Sequence, residues 1–370
     1  MPTVLSLFSG AGGLDLGFEF AGFDHLAAIE LDPWAFATLA NNRPNWNPQM
    51  LDAREFHPVG GCNVLIAGPP CQGFSLGGNR VADDPRNTLY REVIRVAEEA
   101  TPQIVIIENV LNLRTMRTPD TDQPFVEVFT EGLEALGYEV RHGVFKMSEY
   151  GVPQTRRRFI FFGVLGGLPP GFEFPPPDAV EETIHDHIID LATAAIPPDL
   201  PNHQPDWTFK SRVHTATGAQ YPADAPIVPI RISRTSSDGN PLRSYDSPFP
   251  AVDTATLWGF AQGNVVAQRV RPPPEKKTKS KSKYANPPLW RIGAARMRKM
   301  TPREFARLQT FPDDWEFIGG TAERDILKQI GNAVPVAFAQ RLGEFTAQVL
   351  DALDADEPLQ VPVGAQMALL

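Results

Sequence analysis

The sequence predicts an α/β protein: a doubly wound sheet carrying a second, smaller and irregular domain. Three observations carry this. Thr3-Val4-Leu5-Ser6-Leu7-Phe8 reads as a strand, Ser9-Gly10-Ala11-Gly12-Gly13 as a tight turn, and Leu14, Leu16, Phe18 and Phe20 as one apolar stretch of a helix. Two further apolar runs, Asn63 to Ala67 and Gln103 to Ile107, are short, β-branched and bounded by turn residues, as expected of strands buried on both faces. From Gly166 to Leu289 that texture fades and prolines crowd in, at Pro169-Pro170, Pro175-Pro176-Pro177, Pro197-Pro198 and Pro272-Pro273-Pro274. The expected layout is a catalytic unit over residues 1–165, a second domain over 166–300, and a segment over 301–370 that returns to the first unit.

Composition narrows the class. The chain has 370 residues, 42% hydrophobic and 21% charged, as soluble globular proteins do. Cys62 and Cys71 are too few for a disulfide framework or a cysteine-based zinc site, so no metal is expected and a reducing, cytoplasmic setting is the default. The first residues lack the basic and apolar regions of a signal peptide, and no apolar run reaches membrane-spanning length. A net charge of -10 speaks mildly against a nucleic-acid partner, but the charge is segregated along the chain.

The opening strand, glycine turn and helix form the start of a nucleotide-binding unit, although the third glycine is out of place for the dinucleotide fingerprint. The next strand, Leu26 to Ile29, ends at Glu30-Leu31-Asp32-Pro33. An acidic residue there, about twenty positions past the glycines, is placed to hold ribose hydroxyls; Asp32-Pro33 equally suits a helix start. Asp52, in Met50-Leu51-Asp52-Ala53, closes an expected third strand–helix unit.

At the end of the strand Asn63 to Ala67 comes Gly68-Pro69-Pro70-Cys71-Gln72-Gly73-Phe74-Ser75. Two prolines stiffen the exit and remove two backbone donors, leaving a thiol at the carboxyl end of a strand, where α/β sheets place ligands. Such a Cys71 is a candidate nucleophile, and equally a small buried apolar residue. An amphipathic helix from Asn87-Thr88-Leu89 stops at Pro102, and the strand Gln103 to Ile107 delivers Glu108-Asn109-Val110 to the same rim. Further on, Gln154-Thr155-Arg156-Arg157-Arg158 leads into the strand Phe159 to Phe162. As strand residues, Gln154, Arg156 and Arg158 share one face, suited to phosphate or base edges, or to an ordinary basic strand edge.

Within the Pro-rich region Trp207, Lys210, Arg212, Arg231, Arg234, Tyr245, Trp258, Arg269 and Arg271 mix aromatic and basic types. Lys276, Lys277, Lys279, Lys281 and Lys283 form a basic run that reads as a phosphate-tracking arm or a solubilising loop. Thr301-Pro302-Arg303-Glu304 is a helix-capping box with proline at the first helical position. Ile326 to Leu342 carries Gln329-Ile330-Gly331-Asn332-Ala333-Val334-Pro335 and then an apolar helix.

Taken in order, these segments resemble the DNA cytosine-5 methyltransferases, of the type found in bacterial restriction–modification systems. The resemblance rests on Phe8 to Gly13, Gly68 to Ser75, Glu108-Asn109-Val110, Gln154 to Arg158, Thr301 to Glu304 with Arg307-Leu308-Gln309, and Gln329 to Pro335. It implies an S-adenosylmethionine-dependent, Rossmann-like sheet, with residues 166–300 as the target-recognition domain. It implies that Cys71 attacks cytosine C6, that Glu108 binds N3 and the exocyclic amine, and that Arg158, with Arg156 nearby, serves the O2 edge. S-adenosylmethionine would lie over Phe8, Gly10, Ala11, Gly12 and Gly13, with Glu30 on its ribose and Asp52 on its adenine amine. Leu31, Pro70, Leu89, Asn332 and Ala333 would complete that pocket. Gln72, Ser75, Gln154, Arg231, Arg234, Thr254, Lys276, Lys277 and Lys279 are the expected contacts to double-stranded DNA. Ser6 departs from the family, which usually has Asp there.

The chemistry needs the same groups: a thiolate added at C6 makes C5 nucleophilic if a proton donor serves N3 and a cation sits by O2. A tRNA-directed enzyme, a non-catalytic DNA-binding homologue and a dehydrogenase remain as alternatives. The expected partners are duplex DNA and a cognate restriction endonuclease reading the same sequence, with the protein acting as a monomer.

Overall fold

A computed structural model describes residues 1–70, 88–118, 121–178, 181–183, 187, 300–321 and 323–359, and the backbone of the strands found between 206 and 299. The central sheet has seven strands: β1 (Thr3–Leu7), β2 (Asp24–Glu30), β3 (Pro48–Met50), β4 (Val64–Ala67), β5 (Ile104–Val110), β6 (Tyr138–Lys146) and β7 (Arg157–Leu165). Their order is β3-β2-β1-β4-β5-β7-β6, and β7 runs antiparallel to both its neighbours while the other pairs are parallel. Progression from β1 goes outward through β2 to β3, then restarts on the other side of β1 at β4. That reversal opens a crevice at the carboxyl ends of β1 and β4, where doubly wound sheets bind ligands.

Alternating residues of the strands feed two separate cores. Val4, Ile66, Ile104, Ile106, Ile160 and Phe162 face the helices α1 (Gly13–Phe20) and α7 (Val336–Ala355), packing with Leu14, Phe18, Phe338 and Leu342. Leu5, Leu7, Leu65, Val105, Ile107 and Phe161 face α3 (Tyr90–Ala100) and α4 (Phe125–Glu134). Both faces are apolar because both are covered, so the strand sequences show no polar alternation. A third cluster joins α1 through Leu16 and α2 (Pro33–Asn42) through Leu39 to the C-terminal segment, where Phe305, Trp315 and Ile330 lie. That segment holds α5 (Pro302–Leu308), whose Thr301–Glu304 capping box is formed, and α6 (Glu323–Asn332). Among the described residues no helix is long and apolar enough to cross a membrane.

Two expectations are corrected. β3 leads through a turn rather than a helix to β4, so Asp52 closes a strand–turn unit, and its carboxylate engages Arg54 at 2.6 Å. The Pro-rich region is not wholly irregular. It contains an antiparallel three-stranded sheet, β10 (Val228–Arg231), β11 (Trp258–Gln262) and β14 (Arg296–Lys299). A four-stranded one is built from β8 (Asp206–Lys210), β13 (Leu289–Gly293), β12 (Val265–Arg271) and β9 (Gln220–Tyr221). Most of these strands span five residues or fewer and one, β10, carries Pro229, so their pattern is weak in sequence.

Candidate active site

The β1 exit is built from unusual backbone. Phe8 and Gly10 have φ of 58° and 56° and Gly12 83°, bending the chain sharply into α1. The Ser6 and Ser9 hydroxyls, 2.8 Å apart, brace this turn from inside, in the place where the family's aspartate was expected. The glycines differ in what surrounds them. A side chain on Gly13 would lie 2.2 Å from the Val334 carbonyl, so the bend touches the C-terminal segment too closely for any other residue. Gly10, by contrast, faces open space.

Glu30, at the tip of β2, closes that space from the side. Its two oxygens accept from the Gly10 and Asp32 amides at 2.7 and 2.6 Å, fixing the carboxylate against the glycine turn. Burial pushes its pKa up, and the backbone hydrogen bonds pull against that rise. Asp32 is the helix cap: its side chain accepts from Trp34 and Ala35 and takes an ion pair from Lys328. Leu31 and Met50 are exposed beside Glu30, offering an apolar surface at the β2–β3 edge. Leu89 is buried at the entrance to α3. Ala333 is also buried and packs toward Gly13, whereas the neighbouring Asn332 is exposed at the end of α6.

At the next strand ends stands a second group. Glu108, near the end of β5, meets Arg158 with Oε1 to Nε at 2.6 Å, both side chains nearly buried. Their contact follows from register, since Val110 lies opposite Arg158 and places Arg158 diagonally across from Glu108 on one face. The other Glu108 oxygen approaches Gly68, where a Cβ would lie 3.5 Å from it. The next residue, Asn109, donates from Nδ2 to the Pro69 carbonyl at 3.1 Å and accepts the Val110 amide at 2.8 Å. Asn109 thereby ties the strand bearing Glu108 to the peptide leading to Pro70 and Cys71. The sequence signal for this role is an Asn directly after an acidic residue at a strand end.

The expectation that Gln154, Arg156 and Arg158 line one strand face is corrected, because β7 begins only at Arg157. Gln154 is fully buried and donates to the Leu308 carbonyl and to Gln309 Oε1, rather than lying on a DNA-facing surface. Arg156 is buried too, and its guanidinium donates to the Gly331 carbonyl at 2.9 Å and the Asn332 carbonyl at 3.4 Å. There it serves the unsatisfied C-terminal carbonyls of α6, which favour a cation. Gln309, another residue without an assigned role, donates from Nε2 to Ile330 and Ala333 and completes the stitch.

Cys71, Gln72, Ser75, Arg234, Thr254, Lys276, Lys277 and Lys279 lie outside the described residues, and of Arg231 only the β10 backbone is described. The other cysteine, Cys62, is half-buried and its pKa is pushed up to about 12 by burial, so it is a protonated thiol near neutrality.

The model of the family described as C-5 cytosine-specific DNA methylase matches residues 2–347. The Type II methyltransferase M.PspPI of Psychrobacter sp. is 33% identical over 363 residues, covering 96% of this chain and 81% of that protein. The Type II methyltransferase M.NgoPII of Neisseria gonorrhoeae is 32% identical, covering 94% of this chain and 96% of its own. Among solved structures, the S. pombe Dnmt2 methyltransferase shares the fold with a TM-score of 0.57 at 15% identity, over 96% of this chain and all of that one. The chain thus belongs to the C-5 cytosine-specific DNA methylase family.

Proposed function

We propose that this protein methylates C5 of a cytosine in double-stranded DNA, at a specific short sequence, through a covalent bond between Cys71 and C6. The observation that carries this is the Glu108–Arg158 pair, 2.6 Å apart and set against Gly68, at the root of the loop that leads to Cys71. A carboxyl and a guanidinium side by side match N3 and O2 of a cytosine edge. Cys71 is the nucleophile of choice, since Cys62 is held as a thiol by burial.

S-adenosylmethionine fits the crevice beside it. Gly10 leaves open space, and Glu30 presents a fixed carboxylate with lone pairs left for a ribose diol. Phe8, Ala11, Leu31, Asp52, Pro70, Leu89 and Asn332 are the other residues we assign to it, while Gly12, Gly13 and Ala333 hold the shape of the turn. When bound, the cofactor supplies an electrophilic methyl group at a sulfonium.

The chain's own residues do the rest. Glu108 serves N3 as general acid while the Cys71 thiolate adds to C6, neutralising the charge that would otherwise build on the ring. Arg158 faces O2, and electron density moves to C5. Once C5 carries its methyl, loss of the C5 proton expels Cys71 and restores aromaticity. Because C6 is inaccessible in a base stack, the cytosine is flipped into the site, at a cost of about a few kcal/mol. Arg156 acts as a positioning residue, and residues 166–300 read the flanking bases. A cognate restriction endonuclease, a monomeric state and a cytoplasmic location complete the proposal.

The test is duplex DNA carrying 5-fluorocytosine, where the missing C5 proton blocks release of the enzyme. Wild-type protein with S-adenosylmethionine is expected to form a denaturation-resistant adduct, and Cys71→Ser none. An adduct on tRNA but not on DNA would overturn the choice of substrate, and an adduct with Cys71→Ser the choice of nucleophile.

A further inference from the structure

Most described arginine and lysine side chains are occupied within the protein. Arg54 meets Asp52, Arg95 meets Glu92 and Glu99, Arg117 meets Asp122 and Arg141 meets Glu139. Among the described residues, Arg114, Arg157 and Arg324 stand apart as exposed guanidiniums without a hydrogen-bond or ion-pair partner.

Two of the three converge on one rim. Arg157 is the first residue of β7, directly before the Arg158 that meets Glu108, and lies opposite Lys146 of β6. Lys146 is itself engaged by Glu149. Arg114 sits in the last turn of the 3-10 helix Leu111–Thr115, which follows β5 directly. Leu113 of that turn packs in the same core as Phe159 and Phe161, the residues sharing a strand face with Arg157. Glu108 and Arg158 point to the opposite face. The two free guanidiniums therefore bracket the strand ends that carry the catalytic pair, on the α3–α4 side.

We propose that Arg114 and Arg157 form a phosphate clamp that grips the backbone of the DNA strand delivering the target cytosine. This rests on the DNA-methylating function proposed above. Two exposed guanidiniums suit adjacent phosphates, whose contacts set register and position rather than sequence choice. Being unpaired, neither has an internal ion pair to break on binding DNA. Asn109, on the same face, turns inward to Pro69.

The test measures binding of full-length protein to a short mixed-sequence duplex across a salt series. Arg114→Gln and Arg157→Gln are each expected to weaken binding about three- to tenfold, to lower the salt slope by about one, and to raise the KM for DNA. Arg324→Gln, removing the same charge elsewhere, is the control and is expected to match wild type. Equal losses in all three variants, or none in the first two, would overturn the clamp while wild-type methylation left the function standing. Wild-type protein that bound no duplex DNA would overturn the function itself.

Discussion

The glycine-turn crevice that we assign to the cofactor and the Glu108–Arg158 pair that we assign to the target base lie at the carboxyl-end rim of one sheet but are made by different means. The crevice is built from backbone: positive φ at Phe8, Gly10 and Gly12, amides aimed at Glu30, and the Val334 carbonyl pressed on Gly13. The pocket is built from side chains at strand ends, Glu108 against Arg158 and Asn109 against Pro69. A site made of backbone loses shape and stability together when altered. One made of side chains can lose its chemistry and keep its fold.

Glu108→Gln gives the largest effect on that contrast. It keeps a hydrogen-bond acceptor for Arg158 but removes the proton donor for N3, so turnover should fall roughly a hundred- to ten-thousandfold. Its melting temperature should drop far less than that of a crevice variant. Retained activity would break the comparison on the pocket side.

Gly13→Ala is the matching crevice variant. A Cβ placed 2.2 Å from the Val334 carbonyl forces the C-terminal segment away, with a loss of about 1–3 kcal/mol or more in stability. S-adenosylmethionine binding should fall with it, read by calorimetry beside thermal unfolding. A stable variant that lost only cofactor would mean the glycine serves contact rather than packing.

Arg156 and Arg158 sharpen the distinction within two residues of sequence. Arg156→Ala leaves the Gly331 and Asn332 carbonyls without their donor, costing about 1–3 kcal/mol. The loss should appear first as a lower unfolding midpoint in denaturant. A large drop in turnover with unaltered stability would return Arg156 to the reacting base.

The smallest effect is on pH. Glu30 is raised above its ordinary value of 4.5 by burial. The folded protein therefore holds a proton that the unfolded chain has already lost, and between those two values stability declines as pH rises. Cofactor binding is expected to run the other way, since we assign the Glu30 carboxylate as the acceptor for the ribose hydroxyls. Affinity should weaken as pH falls through the raised value, and Glu30→Gln should flatten that dependence.

Much of this was legible in sequence because chemistry restricts residue type. The glycine turn, Glu30, Glu108 and Arg158 are few-option positions at strand ends, and the apolar runs of β4 and β5 announce a sheet covered on both faces. What was not legible depended on distant partners. Nothing local says that Gln154 is consumed by Leu308, or Arg156 by Gly331, since those contacts span more than 150 residues. For the same reason a strand reading that includes Gln154 starts three positions too early, since β7 begins at Arg157. The strands of the 206–299 region are hard to read because short strands set among proline-rich stretches carry little periodicity.

We propose that this chain methylates cytosines in DNA through Cys71. A base-resolution methylcytosine map of DNA from a methylation-free bacterial host expressing it, with Cys71→Ser alongside, tests that most directly. The expected result is methylation confined to one short motif and absent with the variant. A genome left unmethylated by soluble wild-type protein, or methylated equally by the variant, would contradict it.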